Sequence, residues 1–197
     1  MESSSNLKIS QTLNALPSPF FTTVDFLRLF PSKQNTLYDR LKRLKRNNVI
    51  KEVPGDNYLI VGKNYSDFEI ANRLYSPSYV SLESALSFHG IITGFPYQIT
   101  SVTPKKTRSI YFEGKEFVFH HINPTLFFGF EKKEKFLIAD PEKSLIDYLY
   151  FVFKGLRNAD LNEFDLSEID QKKLWKYGKI SGNKAFLSYL QHNKKLC

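Results

Sequence analysis

The sequence is short of the residues that build covalent or metal-held frameworks. Its one cysteine, Cys197, excludes an intrachain disulfide and a thiolate metal cluster. No apolar run approaches the roughly 18–20 residues needed to span a bilayer, and the opening MESSSNLKIS lacks the basic and then apolar segments of a secretory leader. A cytoplasmic protein with no membrane partner is therefore expected. Also missing are a phosphate-binding glycine loop, a G-x-S-x-G elbow and an H-E-x-x-H zinc helix. No internal repeat or low-complexity stretch interrupts the 197 residues, a length that suits one large domain or two small ones.

What is present is a folded, basic chain. Hydrophobic residues make up 42% and charged residues 24%, too apolar a mixture for a disordered chain. Aromatics reach 15%, mostly 18 Phe and 11 Tyr, enough large side chains to fill a core. Lys and Arg number 28 against 20 Asp and Glu, giving a net charge of +8 and a pI near 9.4. That excess favours a polyanionic partner, nucleic acid or an anionic surface, without choosing between them.

From Lys8 the pattern is helical: Ile9, Leu13 and Leu16 recur at helical spacing, and Pro17, Ser18 and Pro19 stop it. Thr22 followed by Asp25 matches a capping box, and Val24, Leu27 and Phe30 give the second helix an apolar face that ends at Pro31. Ser32 is the expected N-cap of a third helix running from Lys33 to about Asn47, with Leu37, Leu41 and Leu44 inward. Residues 49–53 and 58–61 then flank Pro54, Gly55, Asp56 and Asn57, a hairpin pattern around a turn. Three short helices and a hairpin in this order predict a winged helix-turn-helix over residues 1–62.

The third helix carries the charge. Lys33, Arg40, Lys42, Arg43, Lys45 and Arg46 stand against one acid, Asp39. With its leucines inward, Asn35, Asp39, Lys42, Arg43 and Arg46 project outward. Gln34, Asn35, Thr36 and Tyr38 lie near the N-terminal end, the part of a recognition helix that meets base edges. Asn and Gln can read adenine, while Lys and Arg neutralise phosphates. The expected DNA-binding set is therefore Lys33, Gln34, Asn35, Thr36, Tyr38, Lys42, Arg43 and Arg46, with Lys51 reaching backbone from the wing. A solvated basic helix, or a winged helix used for protein contacts, is the plainer alternative.

Beyond a junction at 62–66, residues 67–197 predict a mixed α/β domain with a small sheet and C-terminal helices, making the whole chain α+β. Helices are expected at 68–74 and 82–89, the second ended by Gly90. A strand is expected at 97–102, and a hairpin pairs 109–112 with 116–122. Within it His120 and His121 point to opposite faces. Asp140 and Pro141 open a helix whose apolar face is Leu145, Ile146, Leu149, Val152 and Phe153, with Gly155 at its end. Two more helices are expected, at 167–177 and 183–192, separated by 178–182.

Chemistry in this domain has one candidate, Asp140, Glu142 and Lys143 with His120 and His121, a set that in a nuclease holds a divalent metal and polarises water. All three of the first residues open a helix, where Asp is a cap and Glu suits the dipole. Two ligands from one strand belong at i and i+2 rather than side by side. The reading is therefore no catalytic residue, no metal and no cofactor. Glu83, Ser84 and Asp147 have no evident base or nucleophile partner in the sequence. Lys105, Lys106 and Arg108 form a second basic cluster, either a solvated loop or a contact for phosphate, RNA or a protein.

Five blocks carry a resemblance: YVSLESALSFHGI (79–91), ITSVTPKKTR (99–108), FHHINPTLFFGF (119–130), IADPEKSLIDYLY (138–150) and GNKAFLSYL (182–190). In this order, behind the basic front unit, the series resembles the AbiEi family of antitoxins from type IV toxin–antitoxin and phage-defence loci. The resemblance implies a winged helix that binds operator DNA and represses its own operon. It also implies a second domain that counteracts a cognate nucleotidyltransferase toxin without a tight complex. Two alternatives stay open: a winged-helix regulator whose second domain senses a ligand, and a nuclease-like enzyme.

Overall fold

A computed structural model describes residues 2–193; Cys197 lies outside them. The described residues form a mixed α+β structure of eight helices and two sheets. The chain divides into two compact units, Met1–Ser66 and Asp67–Cys197. No helix among the described residues is long and apolar enough to cross a membrane.

The first unit contains α1 (Glu2–Asn14), β1 (Phe20–Thr22), α2 (Thr23–Leu29), α3 (Gln34–Arg46), β2 (Ile50–Val53) and β3 (Asn57–Ile60). Its strands make an antiparallel sheet in the order β1-β3-β2, with Phe20 opposite Leu59 and Ile50 opposite Ile60. The core gathers Ile9 and Leu13 of α1, Leu37, Leu41 and Leu44 of α3, and Ile50, Tyr58 and Ile60 of the sheet.

Four details differ from the sequence reading. α1 begins before Lys8. β1 is an added edge strand that the sequence pattern does not predict. The Thr22–Asp25 capping box is formed, yet α2 buries Phe26, while Val24 stays 55% exposed and Leu27 and Phe30 are half-buried. The cause is a hydrophobic staple: Phe21, just before the cap, packs on Phe26 with ring centroids 5.9 Å apart, which rotates that position inward. Finally, Ser32 does not cap α3. Lys33 holds the N-cap position without a side-chain hydrogen bond, and Ser32 Oγ is buried and unbonded.

The second unit contains α4 (Asp67–Leu74), β4 (Tyr79–Val80), α5 (Glu83–Phe88), β5 (Ile99–Thr103), β6 (Arg108–Phe112), β7 (Lys115–His121), β8 (Phe130–Lys133) and β9 (Phe136–Ala139). These are followed by α6 (Pro141–Phe153), α7 (Gln171–Ile180) and α8 (Lys184–His192). The six strands lie in the order β6-β7-β5-β4-β9-β8. β4–β9 and β5–β7 are parallel pairs and the rest antiparallel. A core of Leu86, Leu145, Ile146, Leu149, Leu174, Phe186 and Leu190 joins α5 to the three C-terminal helices.

The sequence reading misses β8 and β9. Their turn, Glu134–Lys135, is charged rather than glycine-rich, with Glu134 itself at φ 54°, so the usual hairpin signal is missing. α7 starts later than expected, after Asp170, which accepts from the Lys172 and Lys173 amides at 2.9 and 3.2 Å. Gly178 lies inside α7 rather than in a linker. A Cβ there would stand 2.9 Å from Leu190 Cδ1, so the glycine permits close packing of α8. In α6 Phe151 is buried, whereas Val152 and Phe153 are half-buried, so the inner face turns slightly from the expected one.

Candidate nucleic-acid interface

α3 is two-sided. Leu37, Leu41 and Leu44 are 1–2% exposed and fix the helix from behind. Lys33, Gln34, Asn35, Thr36, Tyr38, Asp39, Lys42, Lys45 and Arg46 are exposed, Tyr38 to 52%. Arg40 and Arg43 are half-buried. Lys45 is not available in the same way as Lys42. It is paired with Glu52 of β2, and that hydrogen bond raises the lysine's pKa.

The hairpin is fastened at its turn. Asn57 Nδ2 donates to Gly55 O at 2.9 Å, and Thr23 Oγ1 bonds Asp56, tying the start of α2 to the turn. Lys51 is half-buried, and alternation along β2 sends it to the face opposite Glu52. The structure thus gathers Lys33, Gln34, Asn35, Thr36, Tyr38, Lys42, Arg43 and Arg46 on one helix, while Lys51 comes from a different element. A surface of this type offers cations to phosphates and short polar side chains to base edges.

In the second unit, Lys105, Lys106 and Arg108 are all exposed, and two of them also have partners within the fold. Lys105 Nζ donates to Ser76 O at 2.6 Å, and the Lys105 and Arg108 cations lie 5.4 and 5.6 Å from the Tyr75 ring centre. Two of the three cations thus lie within cation–π distance of Tyr75.

The fold keeps Asp140 and Glu142 together but takes Lys143 away from them. Asp140 caps α6, accepting from the Lys143 amide at 2.8 Å and from Tyr177 Oη at 2.7 Å. Hydrogen bonding to Asp140 and burial together push the Tyr177 hydroxyl up to about 12, burial contributing most. Lys173 of α7 sits between the acids, 3.1 Å from Asp140 and 2.8 Å from Glu142. Glu142 also accepts from the Asp170 amide at 3.0 Å, and these bonds outweigh burial and lower its pKa.

Lys143 points away from both acids. Fully buried, it is paired with Asp147 one turn on, near the Phe128 and Tyr79 rings. Asp147 also accepts from Tyr79 Oη at 2.9 Å and Ser81 Oγ at 2.8 Å. Burial nonetheless holds the Asp147 carboxyl above its usual range, against the pull of Lys143. Among the described residues, no three His, Cys, Asp or Glu side chains converge as a metal site.

Sequence reasoning passed over a second cluster. Arg157 grips Glu83 with two bonds, 2.6 and 3.2 Å, and approaches His120 Nε2 at 3.0 Å. Burial and the neighbouring guanidinium hold His120 down at about 4, so it is neutral and accepts from Arg157. His121, on the opposite face, bonds Lys105 O at 2.9 Å through Nδ1. The signal for this cluster was the isolated Glu83 on α5, but its partner stands 74 positions away.

No known protein-family model matches the chain, and no curated protein matches it significantly.

Proposed function

We propose that the chain is a DNA-binding antitoxin of the AbiEi type. In this reading the first unit is a winged helix-turn-helix that binds operator DNA and represses its own operon. The second counteracts a cognate nucleotidyltransferase toxin without holding it in a tight complex. The protein works in the cytoplasm, is not an enzyme, and needs no cofactor or metal.

One observation carries the DNA half. α3 presents Lys42, Arg43 and Arg46 with Asn35 away from a sealed leucine face, and leaves Gln34 and Thr36 exposed in its first turn. The salt dependence of binding to the chain's own promoter tests it. Log affinity should fall against log salt by about 0.9 per phosphate contact. Changing Lys42, Arg43 and Arg46 together to Ala should flatten that slope by about 2–3 without altering the melting curve. An unchanged slope moves the DNA surface elsewhere.

The toxin half rests on the five ordered blocks. Co-expression with a toxin-like gene beside this one should restore growth, and the α3 triple variant should keep that rescue while losing repression. A second reading draws on a groove of about 480 Å³ beside Phe68, Ser84, Phe88, Phe95 and Lys115, a volume within the range of small-ligand sites. It makes the second domain a ligand sensor. Failure of rescue, together with a small molecule that changes operator affinity, would favour that reading.

A further inference from the structure

α7 carries a second cationic surface, built on a different plan from α3. Leu174 and Gly178 face inward, the latter against Leu190. On the other side Lys172, Trp175, Lys176, Lys179 and Ile180 recur at helical spacing and line one shallow groove. Lys172, Lys176 and Lys179 are exposed. None of the ion pairs recorded among the described residues uses them. Lys173, by contrast, turns to the other side and is held between Asp140 and Glu142. The helix therefore sorts its lysines, one into the structure and three into solvent.

Trp175 stands among the three. It is the chain's one tryptophan, half-buried against the hydrophobic core of α5, α6 and α8 and otherwise open to the groove. Lys172 and Lys179 are seven residues apart, about 10 Å along the helix. An aromatic face flanked by mobile ammonium groups over that distance matches unpaired nucleotides: a base stacks on the indole while lysines take the neighbouring phosphates. A duplex hides its base faces, so the indole would find no base to stack on there. An anionic membrane would use the same cations, but insertion needs a broad apolar face. Here the inner face of α7 is spent on the core, leaving only Trp175 and Ile180.

We propose that the exposed stripe of α7, Lys172, Trp175, Lys176 and Lys179, binds single-stranded nucleic acid, separately from the α3 surface. The lone tryptophan is the reporter. Titrating the full chain with 12-mers of oligouridylate and oligodeoxythymidylate should quench its emission saturably, with a salt slope of about 0.7 per phosphate contact. Changing Lys172, Lys176 and Lys179 together to Ala should weaken binding by about tenfold or more, and Trp175→Ala, followed by labelled oligonucleotide, by a similar factor. Trp175→Phe should restore most of the loss, which a purely electrostatic surface would not require.

The three lysines are exposed, so their variant should keep the wild-type melting curve. The α3 triple variant should leave the quench intact. Absence of quenching by either oligonucleotide overturns the proposal. So does quenching by phosphatidylglycerol vesicles alone, which would make the stripe a membrane contact, or quenching that survives the α7 lysine variant and disappears with the α3 variant.

Discussion

Lys42 of α3 and Lys143 of α6 are the same residue in helices of the same length, 13 residues, yet they meet opposite environments. α3 buries one narrow leucine stripe, so Lys42 stays in water and needs no counterion. α6 is covered on several sides along its first two turns, with Glu142, Lys143, Ser144 and Asp147 all buried. A cation there is tolerated only with its partner, and Asp147 follows at i+4 with Tyr79 and Ser81 sharing its charge. The comparison teaches that charge in a helix becomes a surface or a structural device according to how many layers cover it. The helix's own sequence does not settle that.

The sharpest way to break this contrast is to remove each cation alone. Lys143→Met leaves Asp147 buried without its counter-charge and should cost about 3–5 kcal/mol of unfolding free energy. Adding Asp147→Leu should recover much of that loss, because no isolated charge then remains inside. Lys42→Met, on the wet face, should stay within about 0.5 kcal/mol. Urea denaturation followed by circular dichroism measures all three. Similar costs for Lys143→Met and Lys42→Met would mean that the interior of α6 is wet.

A smaller effect depends on pH. His120 is held at about 4 in the folded chain and returns to the ordinary value near 6.5 when unfolded. Between these values the unfolded chain binds a proton that the native chain refuses, so stability falls as pH drops. The contribution is complete above pH 6.5 and disappears toward pH 4. His120→Gln keeps an acceptor for Arg157 without titrating, and should flatten the stability profile across that window. Melting temperatures at half-unit pH steps would show it; an unaltered slope would place the acid sensitivity in other groups.

What could be read in the sequence was local. Leu37, Leu41 and Leu44 show their buried face through spacing alone. The Thr22–Asp25 box and the Asp140 cap are formed within a few residues of chain. Phe26 was missed because the staple from Phe21, rather than the periodicity of α2, chooses the inward residue. β8 and β9 escape the pattern because their turn, Glu134–Lys135, lacks the glycine or asparagine that marks a tight hairpin. The burial of the Lys143–Asp147 pair depends on Tyr79 of β4 and Ser81 just after it, 68 and 66 positions from Asp147, and the grip of Arg157 on Glu83 crosses 74 positions. The outward cations of α3 were legible for the same reason as its leucines. The α7 stripe was obscured by an expected helix start four residues too early and by reading Gly178 as a linker.

The smallest expected effect compares the two helix starts of the first unit. Thr22 caps α2 with a reciprocal box, whereas α3 begins at Lys33 with no side-chain acceptor for its first amides. Lys33→Ser would supply that acceptor and should add about 0.5–1 kcal/mol to the stability of the first unit. If operator phosphate is bound where α3 begins, the same change removes a cation and sets a hydroxyl against amides that an anion would otherwise occupy. Operator affinity should then fall as stability rises, a divergence readable by melting and by anisotropy on one purified variant. A gain in stability with unchanged affinity would place the start of α3 away from the duplex and leave Lys42, Arg43 and Arg46 as the contact.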